Sequence, residues 1–294
     1  MGFAYHNIAL LAKAKNNKVS FEKILTIGHQ TLYISQKQVE YLSKLYNINI
    51  GTNKFFHEQF ADSFLKVFLD AKEVKSLDYS DYEECDIIHD MNKPISLNYH
   101  EMFDVIIDGG SLEHIFNFPI AIENCMKMVK KGGSFFIFSK ANNHLGHGFY
   151  QFSPELFFRI FQPTNGFKIQ DIILVEHPFP GEELSTRVKC YSVTDPAFVK
   201  QRILLLSKNP VSIMVHAIRT EIKPIFSTMP IQSDYLAIYN IQNEHLENKT
   251  IKTFLRYLIK KIPFLSFRNY IMGKIQLYTS AFSNKQFYKR VRLF

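Results

Sequence analysis

The sequence predicts a doubly wound α/β fold: a mostly parallel sheet of seven strands with helices on both faces, then a helical C-terminal extension. Three observations lead there. Along residues 1–223, short apolar runs alternate with stretches of helical period, the pattern of repeated strand–helix units. The 294 residues are 46% hydrophobic and include 28 Phe and 15 Tyr, enough to bury a core and too apolar for wholesale disorder. From Asn248 onward there are eleven Lys/Arg and no Asp or Glu, so residues 248–294 carry +11 and the first 247 residues sum to −3 within the total of +8; the extension is placed at residues 224–294.

Each element has its own signal. A short helix, Tyr5 to Ala14, leads into a strand from Lys23 to Gly28 through Ile24, Leu25 and Ile27. Val39, Leu42 and Leu45 mark a helix over Gln36 to Tyr46; Phe60, Phe64, Val67, Phe68 and Ala71 mark the next over Phe60 to Ala71. Strands at Val74 to Leu77 and Asp86 to His89 are each closed by a carboxylate, Asp78 and Asp90. Phe103 to Asp108 is a buried-strand run ending at Gly109-Gly110. A helix from Phe118 to Val129 is expected to carry Lys130 and Lys131 in its last turn and to stop at Gly132-Gly133. Ser134 to Ser139 is a strand, and Ser153-Pro154 opens a helix as N-cap and first residue. Strands Lys168 to Glu176 and Val211 to Arg219 follow, separated by a Pro178/Pro180/Gly181 corner and a helix near Phe198 to Leu206; residues 224–247 give no clean pattern.

Several classes are excluded or disfavoured by composition and motif. No run reaches the ~18–20 apolar residues of a spanning helix. The N-terminus lacks the charged and apolar regions of a secretory leader, and His6 stands where a myristoylation motif wants Ser or Thr. Three widely spaced cysteines, Cys85, Cys125 and Cys190, suit reduced thiols in a cytoplasm and offer no zinc spacing. Neither a G-x-S-x-G elbow nor a P-loop is present.

In an open parallel sheet, ligands bind beyond the carboxyl ends of the strands. Those ends present Gly28-His29-Gln30, Asp78, Asp90-Met91 and Asp108-Gly109-Gly110. Asp78 can accept from both hydroxyls of a ribose, Asp90 from an exocyclic amine, and Met91 can pack on the base. The segments VKSLDYSDYEECDIIHDMN (74–92), FDVIIDGGSLEHIFN (103–117) and MVKKGGSFFIFSK (128–140) resemble, in order and spacing, the class I S-adenosylmethionine-dependent methyltransferases. The resemblance covers residues 20–220 and implies a Rossmann-like fold and S-adenosylmethionine as cofactor. It also implies a ribose acid at Asp78 and an adenine-reading acid at Asp90, with Asp108 and Gly109 completing the set. The first motif departs from the family: ILTIGHQTLYIS (24–35) keeps only Gly28 of the usual G-x-G-x-G. His29 and Gln30 are then expected to supply side-chain donors to the cofactor's carboxylate.

The segment ANNHLGHGFYQFSPE (141–155) gathers Asn143, His144, His147, Tyr150 and Gln151 after the fifth strand. Such a loop suits a polar acceptor, with Glu113, Asn143, Tyr150 and Gln151 as substrate contacts. His147 is the expected general base, with His144 and His114 as alternates, because an imidazole accepts a proton near neutrality. Buried helix-capping or loop-bridging roles are the ordinary alternative for each histidine. Asp108, Glu113 and His114 contain metal-ligand types, but a carboxylate ending a central strand more often fixes a loop, so no metal is assigned.

In the tail, Ile251, Phe254, Leu255, Leu258, Ile259 and Ile262 form one apolar stripe with the cations mostly off it. A second pattern runs through Phe267, Tyr270, Ile271, Leu277, Tyr278, Ala281 and Phe282. The readings are an anionic membrane surface at the inner face, met by residues 248–294, or docking on the body or self-association. The charge is too local to mark a nucleic-acid binder. The functional expectation is methyl transfer to a hydroxyl, less favourably an amine, of a polar small molecule such as a sugar of a surface glycan. The rivals are a nucleoside-binding relative without activity and a membrane-recruited scaffold.

Overall fold

The computed structural model describes residues 2–179, 186–199, 202–235 and 264–294. In chain order the principal elements are β1 (Gly2–Ala4), α1 (Tyr5–Asn16), β2 (Lys23–Ile27), β3 (Thr31–Tyr33), α2 (Gln36–Leu45), α3 (Asp62–Phe68), β4 (Glu73–Asp78) and β5 (Ile87–Ile88). Then come β6 (Phe103–Asp108), α4 (Phe118–Met128), β7 (Val129–Asn142), α5 (Pro154–Ile160), β8 (Phe167–Glu176), β9 (Lys189–Val193), α6 (Pro196–Val199), β10 (Val211–Arg219), α7 (Leu265–Thr279) and β11 (Tyr288–Val291).

The main sheet has nine strands in the order β11-β9-β8-β10-β7-β6-β2-β4-β5. The run β7-β6-β2-β4-β5 is parallel; β10, β8, β9 and β11 join it through antiparallel pairings. The fold is α/β and Rossmann-like, but the sheet is larger and more mixed than the seven mostly parallel strands expected. Strand order turns outward in opposite directions on the two sides of the β2–β6 pair, which makes that junction the switch point where such sheets bind ligands.

Alternate side chains of each central strand enter opposite cores, as strand geometry requires. Ile24, Val105, Ile107, Phe136 and Phe138 face a layer with α1, α2 and α3, including Leu11, Leu42, Phe64 and Phe68. Leu25, Ile27, Ile106, Phe135 and Ile137 face a layer with α4 and α5, including Ile122, Met126, Phe157 and Ile160. Ser35 and Ser153 cap α2 and α5 by accepting from Gln38 N and Glu155 N, the positions where serine relieves an unpaired helix N–H.

Four expectations are corrected. α4 ends at Met128, before the lysines; Lys130 instead pairs with Asp104, Nζ to Oδ2 3.2 Å. The glycine pair serves β7, because a Cβ on Gly133 would lie 2.7 Å from the Asp104 carbonyl. The helix expected at 60–71 is only Asp62–Phe68, since Phe60 bridges to Thr31 and Asp70 adopts φ 58°. The helix expected near 198–206 is a single turn, Pro196–Val199, and 202–206 is not helical. The last residues pack against the α/β body. β11 pairs with β9, Tyr288 is buried with its hydroxyl donating to the Leu204 carbonyl (2.9 Å), and Tyr46 donates to the Leu293 carbonyl (2.6 Å). The stripe Ile251–Ile262, and Pro180-Gly181, lie outside the described residues. The three cysteines are free thiols.

Two predictions test this packing. Deleting residues 288–294 removes the buried side chains of Tyr288 and Leu293, each contributing about 1.5–3 kcal/mol. Thermal denaturation should show Tm lowered by roughly 10 °C; an unchanged Tm would contradict the integration of the C-terminus. His216 is buried, stacked on Phe136 with ring centres 4.2 Å apart, and its Nε2 is 3.1 Å from Ser134 Oγ. Burial, aided by Lys13, lowers its pKa to about 3. The unfolded chain therefore binds a proton that the folded one refuses as pH falls from about 6.5 to about 3, and stability drops by about 1.4 kcal/mol per pH unit for this group. His216→Gln should flatten denaturant-measured acid sensitivity by one proton; an unchanged slope would place the protonation elsewhere.

Candidate functional site

The carboxyl ends of β2, β4 and β6, with the segment after β5, border a cavity of about 480 Å³. Gly28, Asp78, Asp90 and Met91 all line it, together with Ser111 and His114. Gly28 directly follows β2 with φ 79°, a conformation that costs other residues a clash of Cβ, and its N–H donates to the Leu77 carbonyl (2.7 Å). Asp78 Oδ1 accepts from Tyr79 N (2.6 Å). Asp90 Oδ1 accepts from both Asn92 N (3.0 Å) and Asn92 Nδ2 (2.9 Å), with Lys93 Nζ 3.4 Å from Oδ2. The Asn92 donors, then Lys93, hold the Asp90 carboxyl below the usual range, so it is anionic at neutral pH. Met91 is buried and Asn124 Nδ2 lies 3.9 Å from its Sδ.

A second cavity, about 270 Å³, adjoins the first; His114 lines both. Gly109, Gly110, Glu113 and His147 line it from one side, and His6 and Asn7 from α1 line it from the other. Glu113 is fully buried: Oε2 accepts from the Ser139 hydroxyl (2.8 Å), Oε1 has no hydrogen-bond partner, and His147 Nε2 is 3.8 Å from Oε1. Burial pushes the Glu113 carboxyl up, partly offset by its own N–H and by Ser139. Asp108 is also fully buried and lines neither cavity. Its Oδ1 accepts from Ser111 N (2.8 Å) and Leu112 N (3.2 Å), fixing the turn Leu112–His114. Burial first, and then the charge of Glu113, pushes the Asp108 carboxyl up still further. Two such neighbours do not share ionisation readily.

The donor atoms of Glu113, His114 and His147 lie within 4.8 Å of one another. The His114 and His147 rings are 5.2 Å apart. His147 therefore replaces Asp108 in the carboxylate–imidazole group suggested by sequence. His144 lines neither cavity. Its backbone N–H donates to Gln151 Oε1 (2.9 Å), and burial, with Lys140 and His147, lowers its imidazole pKa to about 4.

Other expected contacts are used for structure. His29 turns away from both cavities: Nδ1 donates to the Glu83 carbonyl, Nε2 is 2.7 Å from Asp62 Oδ2, and the ring stacks on Phe60 at 3.7 Å. Burial opposes its charge, yet Glu83 and Asp62 together keep its pKa above the ordinary value. Gln30 is buried, its Nε2 donating to the Ile27 carbonyl, and its amide fills the space beside Gly109, where a Cβ would lie 2.2 Å from Oε1. The segment after β2 does not form a glycine-rich turn because residues 31–33 become β3 and pair in parallel with β1. Asn143 Nδ2 donates to the carbonyls of Ser207 (2.7 Å) and Asn209 (2.9 Å), and Tyr150 donates to the Phe116 carbonyl (2.6 Å). Asn143, Tyr150 and Gln151 thus pin their loop and line neither cavity.

His6, Asn7, Tyr33 and Lys140 were missed as cavity residues. Lys140, just past the expected fifth strand, could have been found from its place at a strand's carboxyl end. For His6 and Asn7 the sequence carried no such signal, since they belong to a helix before the first expected strand.

No protein-family model and no curated protein matches the chain. Among solved structures it is similar to the YcgJ protein of Bacillus subtilis: 12% identity, 71% of this chain and 98% of that one, TM-score 0.37. It is similar to a Listeria monocytogenes protein described as an S-adenosylmethionine-dependent methyltransferase: 13% identity, 73% and 99% coverage, TM-score 0.36. It is also similar to the branched-chain polyamine synthase of Thermus thermophilus in complex with N4-aminopropylspermidine and 5'-methylthioadenosine: 11% identity, 78% and 60% coverage, TM-score 0.35. Each is a loose likeness of fold.

Proposed function

We propose that this protein binds S-adenosylmethionine in the larger cavity and transfers its methyl group to a hydroxyl of a polar small molecule in the smaller one. The observation that carries this reading is that Asp78, at the end of β4, and Asp90, just past the neighbouring β5, border one cavity that meets a second, polar cavity at His114. A volume of about 480 Å³ suits a nucleoside-sized ligand. In this reading Asp78 accepts from the ribose hydroxyls, Asp90 from the adenine amine, and Met91 supports the base. The sulfonium then lies toward His114.

The acceptor oxygen attacks the methyl carbon, the carbon–sulfur bond breaks, S-adenosylhomocysteine leaves uncharged, and the hydroxyl proton is given up. In the simplest form His147, 3.8 Å from Glu113, takes that proton. The sulfonium is a good leaving group, so holding the two reactants in line supplies most of the acceleration. A sugar fits a cavity edged by His6, Asn7, Glu113 and Lys140 rather than by an aromatic cage.

The tail supports a membrane-surface role. Phe264, Phe267, Tyr270 and Tyr278, on or next to α7, are exposed, α7 buries none of its residues, and Arg268 and Lys274 lie among them. No described helix is long and apolar enough to cross a bilayer. Surface binding to anionic lipid would bring the site to lipid-linked glycan precursors.

Calorimetry with S-adenosylhomocysteine should show one site per chain, and Asp78→Ala should weaken it at least tenfold. No heat at millimolar ligand would favour a non-catalytic relative. His147→Ala should lower the rate of S-adenosylhomocysteine release with sugar acceptors by about 10²-fold or more while leaving cofactor affinity unchanged; an unchanged rate would move the proton-accepting role elsewhere. For the tail, the full chain should sediment with phosphatidylserine vesicles at low salt and be released by salt. Sedimentation indifferent to salt, or none, would sink the membrane role.

A further inference from the structure

We propose that Glu113, His114 and His147 bind a divalent first-row transition ion between the two cavities, and that this ion acidifies the acceptor hydroxyl. The inference deepens the transfer reading above and rests on it for the identity of the reaction; the site itself rests on geometry. Three donor atoms from the three side chains lie within 4.8 Å of one another. Glu113 is fully buried, with Oε1 unpartnered at 3.8 Å from His147 Nε2. A buried carboxylate with one oxygen left without a hydrogen bond is costly, and a cation beside that oxygen lowers the cost.

The surroundings fit a ligand set. Ser139 fixes the other Glu113 oxygen, as outer-shell donors do for ligating carboxylates. Asp108 fixes the turn that carries Glu113 and His114. Two glycines keep the space open: a Cβ on Gly110 would stand 3.2 Å from Glu113 Oε1, and one on Gly148 would stand 3.1 Å from His114 Nδ1. Ligand atoms around a tetrahedral ion lie about 3.3 Å apart. The Glu113 Oε1–His147 Nε2 separation of 3.8 Å is about 0.5 Å beyond that, all three donor atoms fall within 4.8 Å of one another, and His147 is exposed between Gly146 and Gly148.

Two neutral imidazoles and one carboxylate suit Zn²⁺, Fe²⁺, Mn²⁺ or Co²⁺, and three protein ligands leave a position for an incoming oxygen. The acceptor hydroxyl takes that position. Its O–H bond breaks, the proton passes to water at the exposed His147 side, and the metal-held oxygen attacks the methyl carbon as the carbon–sulfur bond opens. His147 is then a ligand, and the cation takes over the task of the simple base.

The test uses the full chain, free of affinity histidines and stripped with chelator, titrated with Co²⁺. Visible absorption should saturate at one Co²⁺ per chain. His147→Ala, on the exposed loop, and Glu113→Gln should each weaken binding at least tenfold, while His144→Ala should not. Absence of saturable bands, or affinity unmoved by both ligand variants, overturns the metal site. Parallel calorimetry with S-adenosylhomocysteine separates the two readings. Heat without Co²⁺ uptake overturns the metal and leaves His147 a plain base; Co²⁺ uptake without heat keeps the metal and overturns methyl transfer.

Discussion

A buried polar knot at the β2–β6 junction holds the architecture of the site. The Ser111 hydroxyl donates to the Ile27 carbonyl (2.6 Å), Gln30 donates to the same carbonyl, and Asp108 accepts from Ser111 N and Leu112 N. All three side chains are buried, so each hydrogen bond is worth more for the cost of leaving its partners unpaired than for its own strength. The knot closes the top of the sheet where strand order diverges and sets the turn Leu112–His114. From that turn Ser111 faces the larger cavity, Glu113 faces the smaller one, and His114 faces both.

The central strands were legible because burial on both faces leaves continuous apolar runs, as in FDVIID at 103–108. The outer strands of the antiparallel side were not. β11 at the edge and β9 beside it carry Lys189, Tyr191, Ser192, Lys289 and Arg290, residues that a partly solvated strand tolerates and a sequence pattern cannot distinguish from loop. β1 and β3 are three residues each, too short for any period to register. A basic tail likewise conceals that the last residues return to the core, since only Phe287, Tyr288 and Leu293 near its end are buried.

The site divides in the same way. Residues tied to strand ends, such as Asp78, Asp90 and Gly28, could be placed because the end of a parallel strand is a fixed address. Loop residues could not. His29, Asn143, Tyr150 and Gln151 are the right chemical types, yet local backbone carbonyls, an amide and a carboxylate claim them. Short polar side chains satisfy their own loop whenever geometry allows. Histidine was the least legible type: His6, His177 and His216 are buried and held neutral, whereas His114 and His147 are exposed beside a buried carboxyl.

The most direct measurement is a crystal structure of the chain grown with S-adenosylhomocysteine. The account predicts density for adenosine running from Gly28 past Met91, the ribose against Asp78, and the sulfur directed at His114 and the smaller cavity. Ligand density elsewhere, or an adenosine held without contact to either Asp78 or Asp90, would contradict it.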